Sequence, residues 1–124
     1  MCLTSALRIS FVSLAIATLA ACGGSSSPSY GGAPGCSAST AIATSQVTIQ
    51  NMSFSPACIK VAAGTTVTFT NNDSITHTVT ADDGTYNSGN LLPTQSFLHP
   101  FATTGTSHYH CTIHAGMTGT VIVQ

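Results

Sequence analysis

The chain has 124 residues, 43% of them hydrophobic and only 4% charged, enough for one compact domain with further segments at its ends. Arg8 and Lys60 are the only basic residues and Asp73, Asp82 and Asp83 the only acidic ones, so no charged stripe exists for a phosphate backbone and nucleic-acid binding is excluded. Glu is absent and the polar surface must be built from Thr, Ser, Asn and Gly, a balance that suits short strands joined by turns.

Residues 1–21 read as an export signal. Arg8 precedes a largely apolar run from Ile9 to Ala20, too short to span a bilayer as a mature helix but right for a signal-peptide core. The run ends in Leu19-Ala20-Ala21-Cys22, which resembles the bacterial lipobox, where cleavage precedes a Cys that receives lipid. That resemblance implies lipidation of Cys22 and a mature chain of 103 residues, whose Lys60 and three aspartates leave a formal charge of −2. The expected location is the cell envelope, anchored on the periplasmic or extracellular side. Gly23 after the lipid Cys points to the outer membrane where a cell has one. Residues 22–44 begin with a Gly-, Ser- and Pro-rich stretch that cannot bury enough apolar area to offset its ordering, and they are expected to form a flexible tether.

From Ser45 the hydrophobic period becomes two. Val47 and Ile49 alternate with Thr48 and Gln50, and Val67 and Phe69 with Thr66, Thr68 and Thr70, the signature of strands with one buried face. Ser55-Pro56, Ala63-Gly64, Asn71-Asn72-Asp73, Asp82-Asp83-Gly84 and Leu92-Pro93 supply turns, and Gly119 to Gln124 forms a last strand. Residues 45–124 are therefore expected to fold as an all-β, antiparallel two-sheet sandwich of Greek-key type. Its predicted core is Val47, Ile49, Phe54, Val61, Val67, Phe69, Phe97, Phe101 and Val121.

The chemistry concentrates in Tyr109-His110-Cys111-Thr112-Ile113-His114-Ala115-Gly116-Met117. A thiolate, an imidazole and a thioether within one short loop select copper over hard cations. His77, in Thr76-His77-Thr78-Val79, follows the turn that ends the Val67 strand and can add a second imidazole. A His2Cys set with a long axial Met is the donor pattern of blue-copper sites. A structural zinc site closes instead with four strong N/S ligands and rarely accepts a thioether.

These residues resemble the single-domain cupredoxins of the plastocyanin, pseudoazurin and amicyanin group. Phe54-Ser55-Pro56, Gly64 to Phe69, His77-Thr78-Val79 and Gly116 to Val121 recur there in the same order, and the spacing Cys-x2-His-x2-Met is most similar to amicyanin. The resemblance implies His77, Cys111 and His114 as equatorial ligands and Met117 as the axial ligand of one copper ion per chain, cycling between Cu+ and Cu2+. It implies an electron-transfer protein rather than an enzyme, with the His114 ring edge as electron port inside an apolar patch of Pro93, Ala115, Gly116 and Met117 that meets redox protein partners. A monomer is expected. The alternative is a copper storage or delivery protein without a redox partner, which would use the same ligands. Ile113 and Thr78 depart from the Pro and Asn found in many members; a Thr hydroxyl can still bond to the ligand loop.

Of five cysteines, Cys2 leaves with the signal and Cys22 is the lipid site. If Cys111 binds metal, Cys36 and Cys58 are left as a pair in an oxidising compartment, adding about 3 kcal/mol by closing the intervening loop; Cys58 as a plain buried thiol is the other reading. His108 and His110 alternate away from Cys111 and are expected to be exposed. His110 could alternatively lie on an electron path, and His99 is expected to be a structural surface residue.

Overall fold

In the computed structural model, residues 33–124 are described. The signal segment, Cys22 and tether residues 22–32 lie outside them. Among the described residues every regular element is a strand: β1 (Ile42–Ala43), β2 (Gln46–Gln50), β3 (Ser53–Ser55), β4 (Cys58–Val61), β5 (Thr65–Asn71), β6 (Thr80–Ala81), β7 (Ser96–Phe101), β8 (Gly105–His110) and β9 (Thr118–Val123). They form a five-stranded sheet in the order β1-β4-β9-β8-β6 and a four-stranded sheet in the order β3-β2-β5-β7.

The two-sheet sandwich is present, but its sheets are mixed rather than antiparallel throughout. β1 with β4, β4 with β9 and β2 with β5 run parallel. A period of two marks a strand and its buried face; it carries no information on the direction of a partner that lies tens of residues away.

Alternation places the core. Val47 and Ile49 of β2 and Val67 and Phe69 of β5 point inward and are essentially inaccessible. The predicted core residues are buried except Phe97, which is partly buried and packs against the cluster. Ile59, Val79, Tyr109 and Met117 join them. Tyr109 stands edge-on to Phe54 and Phe69, with ring centroids 4.8 and 5.2 Å away. It pairs with Gly119 across β8 and β9, where a Cβ would come within 2.2 Å of the Tyr109 ring carbon Cζ. Glycine is required there by space, and this packing ties together the two strands that enter and leave the Cys111 to Met117 loop.

Residues 33–44, expected to end the flexible tether, belong to the fold instead. Cys36 forms a disulfide with Cys58, Lys60 Nζ donates to the Ala38 carbonyl at 2.9 Å, the Ala33 N–H donates to Thr120 Oγ1 at 3.0 Å, and β1 extends the sheet beside β4. Composition suggested disorder because it does not register a covalent staple or the open edge of β4 that accepts another strand.

Candidate metal centre

The site is assembled at one end of the sandwich from two sources. His77 lies between β5 and β6 and is bridged to Leu91, its N–H donating to the Leu91 carbonyl at 3.1 Å and the Leu91 N–H donating back at 2.8 Å. Cys111 follows β8 and Met117 precedes β9. The Cys111 N–H donates to the Met117 carbonyl at 3.0 Å, closing the loop that carries His114.

Three of the four sequence-predicted ligands converge. Cys111 Sγ lies 3.9 Å from His77 Nδ1 and 3.7 Å from His114 Nδ1, and the two Nδ1 atoms are 3.1 Å apart. A circle through three atoms with these separations has a radius of about 2.1 Å, the length of a bond from a first-row metal to imidazole nitrogen. The geometry thus fits one ion shared by all three atoms, and a thiolate with two imidazoles suits copper. Met117, the fourth predicted donor, is buried in the core cluster with Cys111, and its carbonyl accepts the Cys111 N–H.

Hydrogen bonds prepare the donors. The Thr78 N–H donates to Cys111 Sγ at 3.4 Å. Burial pushes the Cys111 thiol up, but hydrogen bonds, led by that from the Thr78 N–H and joined by those from the N–H groups of Ile113 and His114, outweigh it and bring the pKa down to about 6. The thiolate, which is the ligand form, therefore prevails at neutral pH without a metal. Thr78 Oγ1 accepts the Thr112 N–H at 2.8 Å and lies 3.0 Å from Thr112 Oγ1. This Thr hydroxyl thereby fastens the ligand loop to the His77 segment.

Two residues that sequence reading treated only as turn formers support His77. Asn71 continues the inward phase of Val67 and Phe69 and is inaccessible to solvent. Its Nδ2 donates to the Ile75 and Leu91 carbonyls, both at 2.8 Å, and its Oδ1 accepts the Asp73 N–H at 3.0 Å. Asp73 Oδ2 lies 2.9 Å from His77 Nε2. The Met52 N–H, opposed by partial burial and aided by the Asn51 N–H and His77, holds the Asp73 carboxyl below its ordinary value. The available signals were the unbroken alternation into Asn71 and the four-residue spacing from Asp73 to His77.

The expected apolar patch is composed differently. Met117 is only 4% exposed and cannot contribute to a surface, because it fills the core under the loop. The large exposed apolar side chains near the ligands are Ile113, next to His114, Leu92, next to the His77-bridged Leu91, and Ile75 in the segment leading to His77. Ala115 and Gly116 are exposed and Pro93 is half-buried. Of the two imidazoles, His77 is inaccessible whereas His114 is half-buried.

The remaining histidines stay away from this cluster. His108 is exposed, with Nδ1 3.0 Å from Thr120 Oγ1. His110 is half-buried rather than fully exposed because its Nδ1 bonds to Asp82 Oδ1. His99 is half-buried, its ring packed 4.1 Å from that of Tyr86, and burial lowers its pKa.

A model of the cupredoxin-like domain family matches residues 11–123. The plastocyanin of Scenedesmus fuscus is 34% identical over 84 residues, covering 57% of this chain and 86% of that protein. A chloroplastic plastocyanin of Physcomitrium patens is 36% identical over 86 residues, covering 59% of this chain and 51% of the relative, so the chain spans about half of that protein. Among solved structures, a purple cupredoxin from Nitrosopumilus maritimus superimposes with a TM-score of 0.59 at 30% identity, covering 64% of this chain and 98% of that one. An oxidized amicyanin variant superimposes with a TM-score of 0.61 at 30% identity, covering 71% of this chain and 86% of that one.

Proposed function

The chain belongs to the family of cupredoxin-like domains, and on that premise we propose that it carries single electrons between redox proteins at the cell envelope. It holds one type 1 copper site, made by His77, Cys111, His114 and Met117, and it is an electron-transfer protein rather than an enzyme. The observation that carries the reading is the convergence of His77 Nδ1, Cys111 Sγ and His114 Nδ1 within 4.8 Å of one another, the last two in a loop that ends at the buried Met117.

When bound, copper supplies a one-electron couple between Cu(I) and Cu(II). The protein's part is to hold the donors still. Cys111 is fixed at sulfur by the Thr78 N–H and at its backbone by Met117, and His77 is fixed at Nε2 by Asp73 and at its backbone by Leu91. Donors locked by neighbours in this way need little rearrangement when the charge at the site changes. The buried core beneath Cys111 and Met117 keeps water from competing with them.

His114, the more accessible imidazole, serves as the electron port, with Ile75, Leu92 and Ile113 as the apolar surface on which a redox partner docks. So few charged residues make docking brief and weakly dependent on salt. The Leu19 to Cys22 motif supports lipidation at Cys22, and the Gly-, Ser- and Pro-rich segment that follows supports a tether between membrane and domain.

The optical and EPR spectra of the Cu(II) form test the site. An intense thiolate-to-copper band with small parallel hyperfine splitting is expected, together with a reversible wave in voltammetry. An ordinary tetragonal signal would overturn the reading. For the envelope location, Cys22→Ser is expected to release the protein from the membrane fraction; equal partition of both forms would remove the anchor.

A further inference from the structure

One carboxylate at the metal end joins two features that the ligand set leaves unexplained. Asp73 Oδ1 accepts the Asn51 N–H at 2.7 Å and Oδ2 accepts the Met52 N–H at 2.9 Å, while Oδ2 also lies 2.9 Å from His77 Nε2. Asn51 and Met52 are the two residues between β2 and β3, at φ of 53° and 60°. Two successive residues in the left-handed region characterise the hairpin turn that favours Asn-Gly, and Met at the second place is strained there. A carboxylate gripping both N–H groups compensates that strain. The other end of the same grip is a ligand imidazole.

The consequence at His77 follows from donor rules. An ionised carboxylate can only accept, so His77 Nε2 carries the proton and Nδ1 presents its lone pair toward Cys111 Sγ and His114 Nδ1. The ring is inaccessible to solvent, so water does not offer Nε2 another acceptor. A carboxylate behind a ligating imidazole also raises that ligand's basicity and favours the higher charge state of the metal it holds.

We propose that Asp73 is a positioning residue for the copper site: its carboxylate fixes the His77 tautomer, lowers the reduction potential of the site and holds the Asn51-Met52 turn against the ligand framework. This rests on the electron-carrier reading and assigns the residue that tunes it.

The test uses the full chain and has a part that needs no copper. Long-range proton–nitrogen NMR of the metal-free protein is expected to show His77 protonated at Nε2 only, and a mixed tautomer population in Asp73→Ala. In the copper-loaded protein, Asp73→Asn is expected to keep the thiolate band and shift the potential upward, since the amide can still accept one turn N–H but lacks the charge. Asp73→Ala is expected to lose about 10- to 100-fold in copper affinity. Adding Met52→Gly to Asp73→Asn relieves the strained turn and is expected to restore stability while leaving the potential raised. A metal-free His77 protonated at Nδ1 overturns the proposal, as does a potential that is unchanged in Asp73→Asn or returns to the wild-type value in the Met52→Gly double variant. Should the wild-type chain give no type 1 spectrum, the electron-carrier reading fails and the tautomer measurement decides the role of Asp73 alone.

Discussion

The two halves of the metal end are built by different means. His77 is set from behind: it is inaccessible, its backbone is bridged to Leu91, and its ring is held by Asp73, itself placed by the buried Asn71. The Cys111 to Met117 loop is set by closure, through the Cys111 to Met117 backbone bond and the Tyr109 to Gly119 pairing at its base. One half is a polar network with little access to water; the other is a short strap whose tip, from Thr112 to Gly116, reaches the surface. This division suits a carrier that needs fixed donors and one accessible edge.

Perturbations rank by how directly they act on either half. The largest effect is expected from Cys111→Ser, which removes the thiolate and with it the intense optical band, while the strand framework keeps its far-UV circular dichroism. Next, Gly119→Ala places a Cβ 2.2 Å from the Tyr109 ring and is expected to cost about 3 kcal/mol or more through overpacking at the base of the loop. Urea unfolding measures it, and a near-neutral result would mean that closure does not depend on this contact. Asn71→Ala attacks the other half by leaving the Ile75 and Leu91 carbonyls without their donor, an expected loss of about 2–3 kcal/mol.

Thr78→Val separates the halves, since Thr78 Oγ1 is the acceptor for the Thr112 N–H. The expected loss is about 1 kcal/mol because water can reach Thr112. Its more telling readout is faster hydrogen exchange confined to the loop.

A pH response accompanies these effects. Folding lowers the Cys111 thiol from an ordinary value of 9.0 to about 6, so the metal-free fold gains from the thiolate fully only above pH 9.0. That gain is lost as pH falls through about 6. Thiolate absorbance of the metal-free chain is expected to titrate near that lower value, and Cys111→Ser is expected to flatten the corresponding slope in stability. A titration near pH 9 would show that Thr78 and the loop N–H groups do not prepare the sulfur.

Much of the site was legible in sequence because its chemistry is local. Cys111, His114 and Met117 lie within seven residues, and a thiolate, an imidazole and a thioether at that spacing have few uses. The alternation of Val47, Ile49, Val67 and Phe69 likewise identified strands and their inward faces. Where reading stopped short, the cause was a partner distant in sequence. Asp73 looked like a turn residue because nothing local says that its carboxylate will meet Asn51, Met52 and His77. Met117 was assigned to the surface because a loop position does not reveal whether its side chain points out or down. Composition assigned residues 33–44 to a tether, yet beyond the anticipated Cys36–Cys58 disulfide the edge of β4 accepts β1 and draws them into the sheet.

By itself, then, the sequence determined the donor types, their order and the all-β character, since side-chain chemistry and two-residue alternation are properties of adjacent residues. Tertiary structure alone decided which strands run parallel, which carboxylate stands behind His77 and that Met117 is buried rather than at the surface. Those outcomes depend on closing long loops and on burial, where an unpaired polar group is costly and each donor must find its acceptor across the fold.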